Sequence, residues 1–272
     1  GQALLRNIRR MQEIHCFGDL SFASDVSDAL CDVEMLRRSR LHPMQYIFAM
    51  GAVGLLPQPR YSWYSSRTER NIASRVAAGL QAGFYASFTY ADVTSDARTL
   101  VGVDISGSMG AEIMSGNGRT GVSVTAAQAA TAMAMVIARC TKKYDIMGFS
   151  TSFIDLGVTA SDTLEEAFKK CSDRNFGGTD CGLPMVHAKK NSMEVDTFVV
   201  LTDNETWAGR SHPHAALADY RKASGINARL VVVGMTATEF TIADPTDSGM
   251  LDVVGFDSSV PKLITDFSAG RM

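Results

Sequence analysis

An α/β fold is predicted, in which a doubly wound, mostly parallel sheet follows an α-helical segment of the repeat kind. Three observations carry that expectation. From about Leu100 onward, short runs dense in Val, Leu and Ile alternate with helical patterns, the rhythm of a parallel sheet covered on both faces. Ahead of Leu100, apolar residues recur at helical spacing between short turns. Two of the apolar runs, Thr99 to Val103 and Thr197 to Leu201, lead into Asp104 and Asp203, at the carboxyl ends of strands where such a sheet keeps its ligand site.

In chain order, Ala3, Leu4, Leu5, Ile8, Met11 and Ile14 mark an amphipathic helix over 3–15, with Arg6, Arg9, Arg10 and Glu13 on its other side. Asp19 to Phe22 reads as a turn, followed by one or two short helices through Val26, Leu30, Val33 and Leu36. Pro43 opens a helix running to Val53, where its missing N–H costs nothing, and Pro57 and Pro59 end it. A long helix is expected from Asn71 to Tyr90, and together these helices suggest an antiparallel hairpin array of the solenoid, HEAT-like kind. Farther on, strands are expected at 99–104, 146–149, 197–202 and 229–234. Helices are expected at 124–142, 164–171, 183–190, 213–223 and 261–267, with a glycine-rich loop from Ser115 to Gly121. The helix over 124–142 is rich in Ala and Met and apolar over most of its surface, so it should lie buried on the sheet. The expected division is residues 1–96 for the helical segment and 97–272 for the α/β domain.

At 46% hydrophobic and 20% charged, the chain has ample material for a core. It contains no run of eighteen uncharged apolar residues, so no membrane span is expected. Five cysteines, odd in number and without C-x-x-C spacing, argue against a secreted disulfide framework and for a cytoplasmic chain. The start at Gly1 instead of Met, with no signal-peptide pattern, reads as a tag remnant or an excised piece. The net charge of −3 conceals an asymmetry, because residues 1–75 hold ten basic residues, all arginine, against seven acidic ones. Guanidinium forks fit phosphates and stack on bases, which makes Arg6, Arg9, Arg10, Arg37, Arg38 and Arg40 candidate RNA contacts. Surface arginines more often simply solvate a helix face.

The chemistry gathers at VGVDISGSMG, residues 101–110, where Asp104, Ser106 and Ser108 follow a buried strand together. Two downstream pieces can complete the group: Gly177, Gly178, Thr179 and Asp180 offer a third hydroxyl on a turn, and Asp203 ends the strand Thr197 to Thr202. The sum is an oxygen-only cluster of low charge, suited to Mg²⁺ or a similar divalent ion such as Mn²⁺. An ion held mostly by neutral hydroxyls retains affinity for one more anionic oxygen. Asp and Ser after a strand are also ordinary turn and cap residues, and only the three pieces in order set that plainer reading aside.

This D-x-S-x-S, Thr, Asp arrangement resembles the metal-ion-dependent adhesion site of von Willebrand factor A domains, which share the Rossmann-like sheet. Taken whole, the chain resembles the carboxy-terminal part of the Ro autoantigen ribonucleoproteins, the TROVE family. The resemblance rests on ALLRNIRRM at 3–11, SRLHP at 39–43, VDISGSM at 103–109, GGTDCGLPM at 177–185, LTDNETWAG at 201–209 and GMTATEFTIADPTDSGMLDVVGFD at 234–257. It implies direct ligation by Ser106, Ser108 and Thr179, with Asp104 and Asp203 acting wholly or partly through water, and Asn204 and Glu205 behind them. It also implies a part in small noncoding RNA ribonucleoproteins and RNA quality control, with structured RNA or single-stranded RNA ends as partners. Family members carry a long run of helical repeats ahead of the equivalent of Gln2, so their RNA-stem contacts do not carry over. The expected substitutes are a closed homo-oligomer ring or a separate helical-repeat chain, driven by the apolar face of Ala3, Leu4, Leu5, Ile8 and Met11.

Enzyme readings fare poorly. A phosphatase working through an aspartyl phosphate at Asp104 needs an acid two residues later, where Ser106 stands. There is no G-x-x-x-x-G-K-S/T loop and no G-x-S-x-G elbow. His212 and His214 flank Pro213 two apart, a spacing that a metal can use and a surface turn uses more often. The function that the resemblance implies is therefore non-enzymatic RNA binding, with a cytosolic protein–protein adhesion module gripping a partner's carboxylate through the metal as the alternative.

Overall fold

The computed structural model describes residues 2–39, 41–56, 72–88, 95–115, 122–172, 177–203, 211–236 and 242–272. Its first part is helical: α1 (Gln2–Glu13), α2 (Leu20–Cys31), α3 (Val33–Ser39), α4 (Met44–Ala52) and α5 (Ser74–Ala86). Asp19 is the N-cap of α2, its carboxylate accepting from Ser21 N at 2.8 Å and Phe22 N at 3.2 Å, so the turn expected at 19–22 is the start of a helix. The expected helix over 71–90 is shorter within the described residues, and Asn71 and Tyr90 themselves lie outside them. α2 lies against α5 and α1 against α4. Leu5 and Ile8 are 5% and 0% exposed, and Leu4 and Met11 pack half-buried on the same core. Of the apolar face of α1, Leu5 and Ile8 are thus covered inside the chain, with α4 alongside, Leu4 and Met11 are half-covered, and Ala3 stays exposed.

The α/β part has a six-stranded sheet in the order β5-β4-β1-β6-β7-β8. Its strands are β1 (Ser95–Asp104), β4 (Thr141–Phe149), β5 (Phe153–Asp155), β6 (Thr197–Thr202), β7 (Arg229–Gly234) and β8 (Met250–Val254). Every neighbouring pair is parallel except β4 with β5. A separate antiparallel pair, β2 (Glu112–Ser115) and β3 (Ser123–Thr125), follows β1. The crossover helices are α6 (Ala126–Cys140), α7 (Leu164–Ser172), α8 (Leu183–Lys190) and α9 (Pro213–Ser224), with α10 (Val260–Ser268) last.

Alternate strand residues serve two cores. Val101, Val103, Val199, Leu201, Val231 and Val233 pack with α6, α7 and α10. Leu100, Phe198, Val200, Leu230 and Val232 pack with α8 and α9 on the other face. The first core runs on without a break into α1, α2, α4 and α5. Phe256 lies 6.5 Å from the Phe84 ring and 5.9 Å from the Phe88 ring, and the Arg139 guanidinium sits 3.8 Å over the Tyr85 ring.

Several boundaries differ from expectation. The buried helix α6 begins two residues later than 124, because Thr125 and Gln128 form a capping box; Thr141 already belongs to β4. β4 starts five residues ahead of Ile146, and β5, β8 and the β2–β3 pair were not expected at all.

Helices α2 and α5 cross at two glycines. A Cβ on Gly79 would come within 2.6 Å of Ser27 Oγ, and one on Gly83 would collide with the Leu30 carbonyl of α2 and stand 2.5 Å from the Tyr46 ring of α4, whose hydroxyl donates to Leu30 O. Gly83→Ala should cost about 1–3 kcal/mol in a denaturant melt, whereas Gly18→Ala, whose added carbon meets nothing within 4 Å, should leave the midpoint nearly unchanged. Equal midpoints would mean that the helices do not cross this closely.

Candidate metal centre

β1 is the sheet's central strand, with β4 on one side and β6 on the other, and the chain order reverses around it. Such a switch point leaves a crevice beyond the carboxyl ends of the strands. The expected residues meet there. Asp104 ends β1 and is fully buried; Ser106 is buried, and Ser108 is exposed in the one-turn helix that follows. The Ser106 and Ser108 hydroxyl oxygens lie 3.1 Å apart. Asp203 follows β6 at 7% exposure, its carbonyl accepting from Thr236 Oγ1 at 2.8 Å.

The turn carrying Thr179 is drawn in from the β4 side. Asp180 N donates to Ser150 O at 2.9 Å, and Asp180 Oδ1 accepts from Gly182 N at 3.0 Å. Gly177 lies so close to Thr151 that an added Cβ would stand 2.7 Å from its hydroxyl. Gly102 does the same on β1, where a Cβ would come within 2.9 Å of Pro184, so α8 can press onto the strand and hold its preceding turn at the crevice. Thr179 itself is 2% exposed.

Sequence reasoning gave no role to Thr202, yet its Oγ1 donates to Asp104 Oδ2 at 2.6 Å, deep in the structure. The parallel register pairs Val103 with Leu201, so Thr202 falls directly opposite Asp104. Asp104 Oδ1 accepts from Ser106 N at 2.8 Å, which leaves both of its oxygens fixed. Burial nevertheless pushes the Asp104 carboxyl up to about 6, against the pull of the Thr202 and Ser106 bonds, and the charge of Asp203 adds to the rise. Asp203 Oδ1 is buried without any hydrogen-bond partner.

A buried carboxylate oxygen lacking a donor, beside a second carboxylate and paired hydroxyls, is an arrangement that a cation would complete. Among the described residues no group of three or more His, Cys, Asp and Glu side chains could hold a metal ion. The donors here are two carboxylates and otherwise hydroxyls, a set that fits a hard ion and no soft one.

The candidate RNA contacts are divided between two helices. Arg6, Arg9 and Arg10 lie on α1, where Glu13 pairs with Arg9 at 3.1 Å and with Arg10 at 3.5 Å. Arg37 and Arg38 lie on α3, Arg37 pairing with Glu34 at 3.5 Å. Arg40, and with it Asn204 and Glu205, lies outside the described residues.

The family model described as the Ro60 vWA domain matches residues 98–268. The chain belongs to the Ro60 family. It is 37% identical over 273 residues to a protein of Deinococcus radiodurans called RNA-binding protein RO60, and 34% identical over 271 residues to one of the same name from Caenorhabditis elegans. Each alignment takes in 99% of this chain but only 49% and 40% of those relatives, so the Ro60-family chain spans half their length or less. The crystal structure of the Deinococcus radiodurans RO (RSR) protein superposes on all of the chain and 53% of its own length, with a TM-score of 0.71 at 36% identity.

The buried Asp104 gives this Ro60-family fold a pH signature when metal is withheld. Its carboxyl titrates at about 6 in the fold against an ordinary 3.8, so the native state holds the extra proton between those values. The associated stability is complete below about pH 4 and lost as pH rises through about 6, a difference on the order of 1–3 kcal/mol. In chelator, denaturation free energies of Asp104→Asn and wild type should diverge in the variant's favour from pH 4 to pH 7. A pH-independent difference would mean that Asp104 is not a buried charge.

Proposed function

We propose that this chain is an RNA-binding, divalent-ion-holding part of a Ro60-type protein of small noncoding RNA ribonucleoproteins and RNA quality control, acting by binding and not by catalysis. The RNA half of the reading rests on relatives named as RNA-binding proteins that align along 99% of the chain. The metal half is carried by one observation, the buried and unpartnered Asp203 Oδ1 at the crevice. Ser106, Ser108 and Thr179 would hold Mg²⁺ or Mn²⁺ through their hydroxyls, with Asp104 and Asp203 bound wholly or partly through water. Bound there, the ion supplies a positive charge open to one anionic oxygen. Ser106 and Thr179 are shielded while Ser108 is exposed, which turns the open side of the cluster to solvent.

An RNA phosphate and a protein carboxylate both offer such an oxygen, and the names of the relatives favour the phosphate. Of the α1 arginines, Arg6 and Arg10 are exposed, so the helix presents guanidinium groups to a backbone. Ser106, where an aspartyl-phosphate enzyme would need its acid, is engaged with Ser108 and Asp104. All five cysteines are free thiols, which accords with a cytoplasmic setting, and among the described residues no helix is long and apolar enough to cross a membrane.

Two measurements test the halves separately. Mg²⁺ at a hundred times its dissociation constant should stabilise the wild type by about 2.7 kcal/mol and Asp104→Ala not at all; equal shifts would remove the site. Replacing Arg6, Arg9 and Arg10 together by alanine should weaken RNA binding regardless of sequence and flatten the plot of log affinity against log salt, by roughly 0.7 in slope for each single-strand phosphate that is no longer neutralised. An unchanged slope would place the RNA surface elsewhere.

A further inference from the structure

The edge of the sheet that bears the hydroxyl cluster also carries a pair of imidazoles that the cluster does not use. His212, Pro213 and His214 open α9, which follows β6, and Asp244 lies beyond the end of the neighbouring strand β7. The His212 and His214 rings stand 4.4 Å apart, centre to centre, at an interplanar angle of 39°, and both residues are exposed. Neither is consumed by the helix start: His212 occupies the N-cap position, but its side chain makes no capping bond. Buried Pro213 between them fixes φ at the first residue of the helix.

The separation is informative about what the pair can hold. Imidazole nitrogens bind at 2.0–2.1 Å, so two rings meeting one ion at a right angle have centres about 4.5 Å apart, whereas a tetrahedral angle needs roughly 5.2 Å. The observed 4.4 Å matches the right angle of adjacent positions in a tetragonal or octahedral ion. Such geometry with nitrogen donors belongs to Cu²⁺ and Ni²⁺, not to Mg²⁺, which takes oxygen.

We propose that His212 and His214 form a two-imidazole site for a borderline divalent cation of the Cu²⁺ and Ni²⁺ class, separate from the hydroxyl cluster, with water in the remaining positions. The chemistry around the rings agrees. A ligand imidazole must be neutral, and the positive end of α9 disfavours the imidazolium. Burial and the neighbouring His214 lower the His212 pKa further. Asp244 offsets the ion's charge: it feels both histidines, and its carboxyl is held low chiefly by bonds from the Thr246 hydroxyl at 2.7 Å and the Thr246 N–H at 2.9 Å. Among the described residues no third His, Cys, Asp or Glu completes the set, which makes the site an open one of two protein ligands. The two sites sort ions by hardness, and together they place two cation positions along one edge of the sheet.

The test uses the full chain in a large excess of Mg²⁺, titrated with Ni²⁺ by calorimetry and with Cu²⁺ by electron paramagnetic resonance. One Ni²⁺ should bind per chain, unaffected by the Mg²⁺, and the Cu²⁺ spectrum should show two equatorial nitrogens. His212→Gln and His214→Gln should each weaken Ni²⁺ at least about tenfold and reduce the Cu²⁺ signal to one nitrogen, with unchanged thermal unfolding in the absence of metal. His187→Gln, on α8, should change nothing. Binding that Mg²⁺ abolishes, affinity that survives both substitutions, or a spectrum without two nitrogens would each overturn the site.

Discussion

The centre of this molecule depends on the cost of burying two carboxylates side by side. Asp104 and Asp203 end adjacent parallel strands, and both are removed from water. Asp104 is held by the Thr202 hydroxyl on one oxygen and the Ser106 N–H on the other, which orients the carboxylate and leaves lone pairs on it. Asp203 keeps one oxygen with no donor at all. A fold gains no stability from that arrangement, because a buried polar oxygen without a donor costs about 1–3 kcal/mol and an apolar residue would remove the cost. The arrangement agrees with the cation position proposed above.

The rest of the fold serves to hold that edge still. Gly102 lets α8 approach β1, which sets the Thr179 turn, and the turn is tied to the end of β4 through Ser150. The helical segment is fastened to the face of the sheet away from α8 by the Phe84, Phe88 and Phe256 rings and by the hydrogen bond from Leu164 N to Gln81. Helices and sheet therefore share one continuous core, and arginines on α1 and α3 are carried by the same body as the crevice. Rigid support of this kind is what a cluster of weak neutral donors needs to bind an ion.

Much of this was legible in the residues. Asp104 and Asp203 each close a run of buried residues, so their place at strand ends follows from pattern alone, and the mostly parallel sheet follows from alternation. Thr202 was not legible, because a threonine within an apolar run looks like any β-branched strand residue. Its role appears only when strands 98 residues apart are set in register. β8 escaped notice since its middle residues are only half-buried and include Asp252, and β5 is three residues long. The start of α6 lies two residues later than expected, although Thr125 and Gln128 carry the capping-box signal for it. The stripe on α1 showed in the sequence, but what covers it did not, as periodicity says that a face is buried and not against what.

The most direct test of the central claim is the anomalous diffraction of a crystal soaked in Mn²⁺. The account predicts one strong peak at the crevice, about 2.0–2.3 Å from the Ser106 and Ser108 hydroxyls and within reach, directly or through one water, of Asp203 Oδ1. A map with no peak there, or a peak bound elsewhere while Asp203 Oδ1 stays unpartnered, would contradict it.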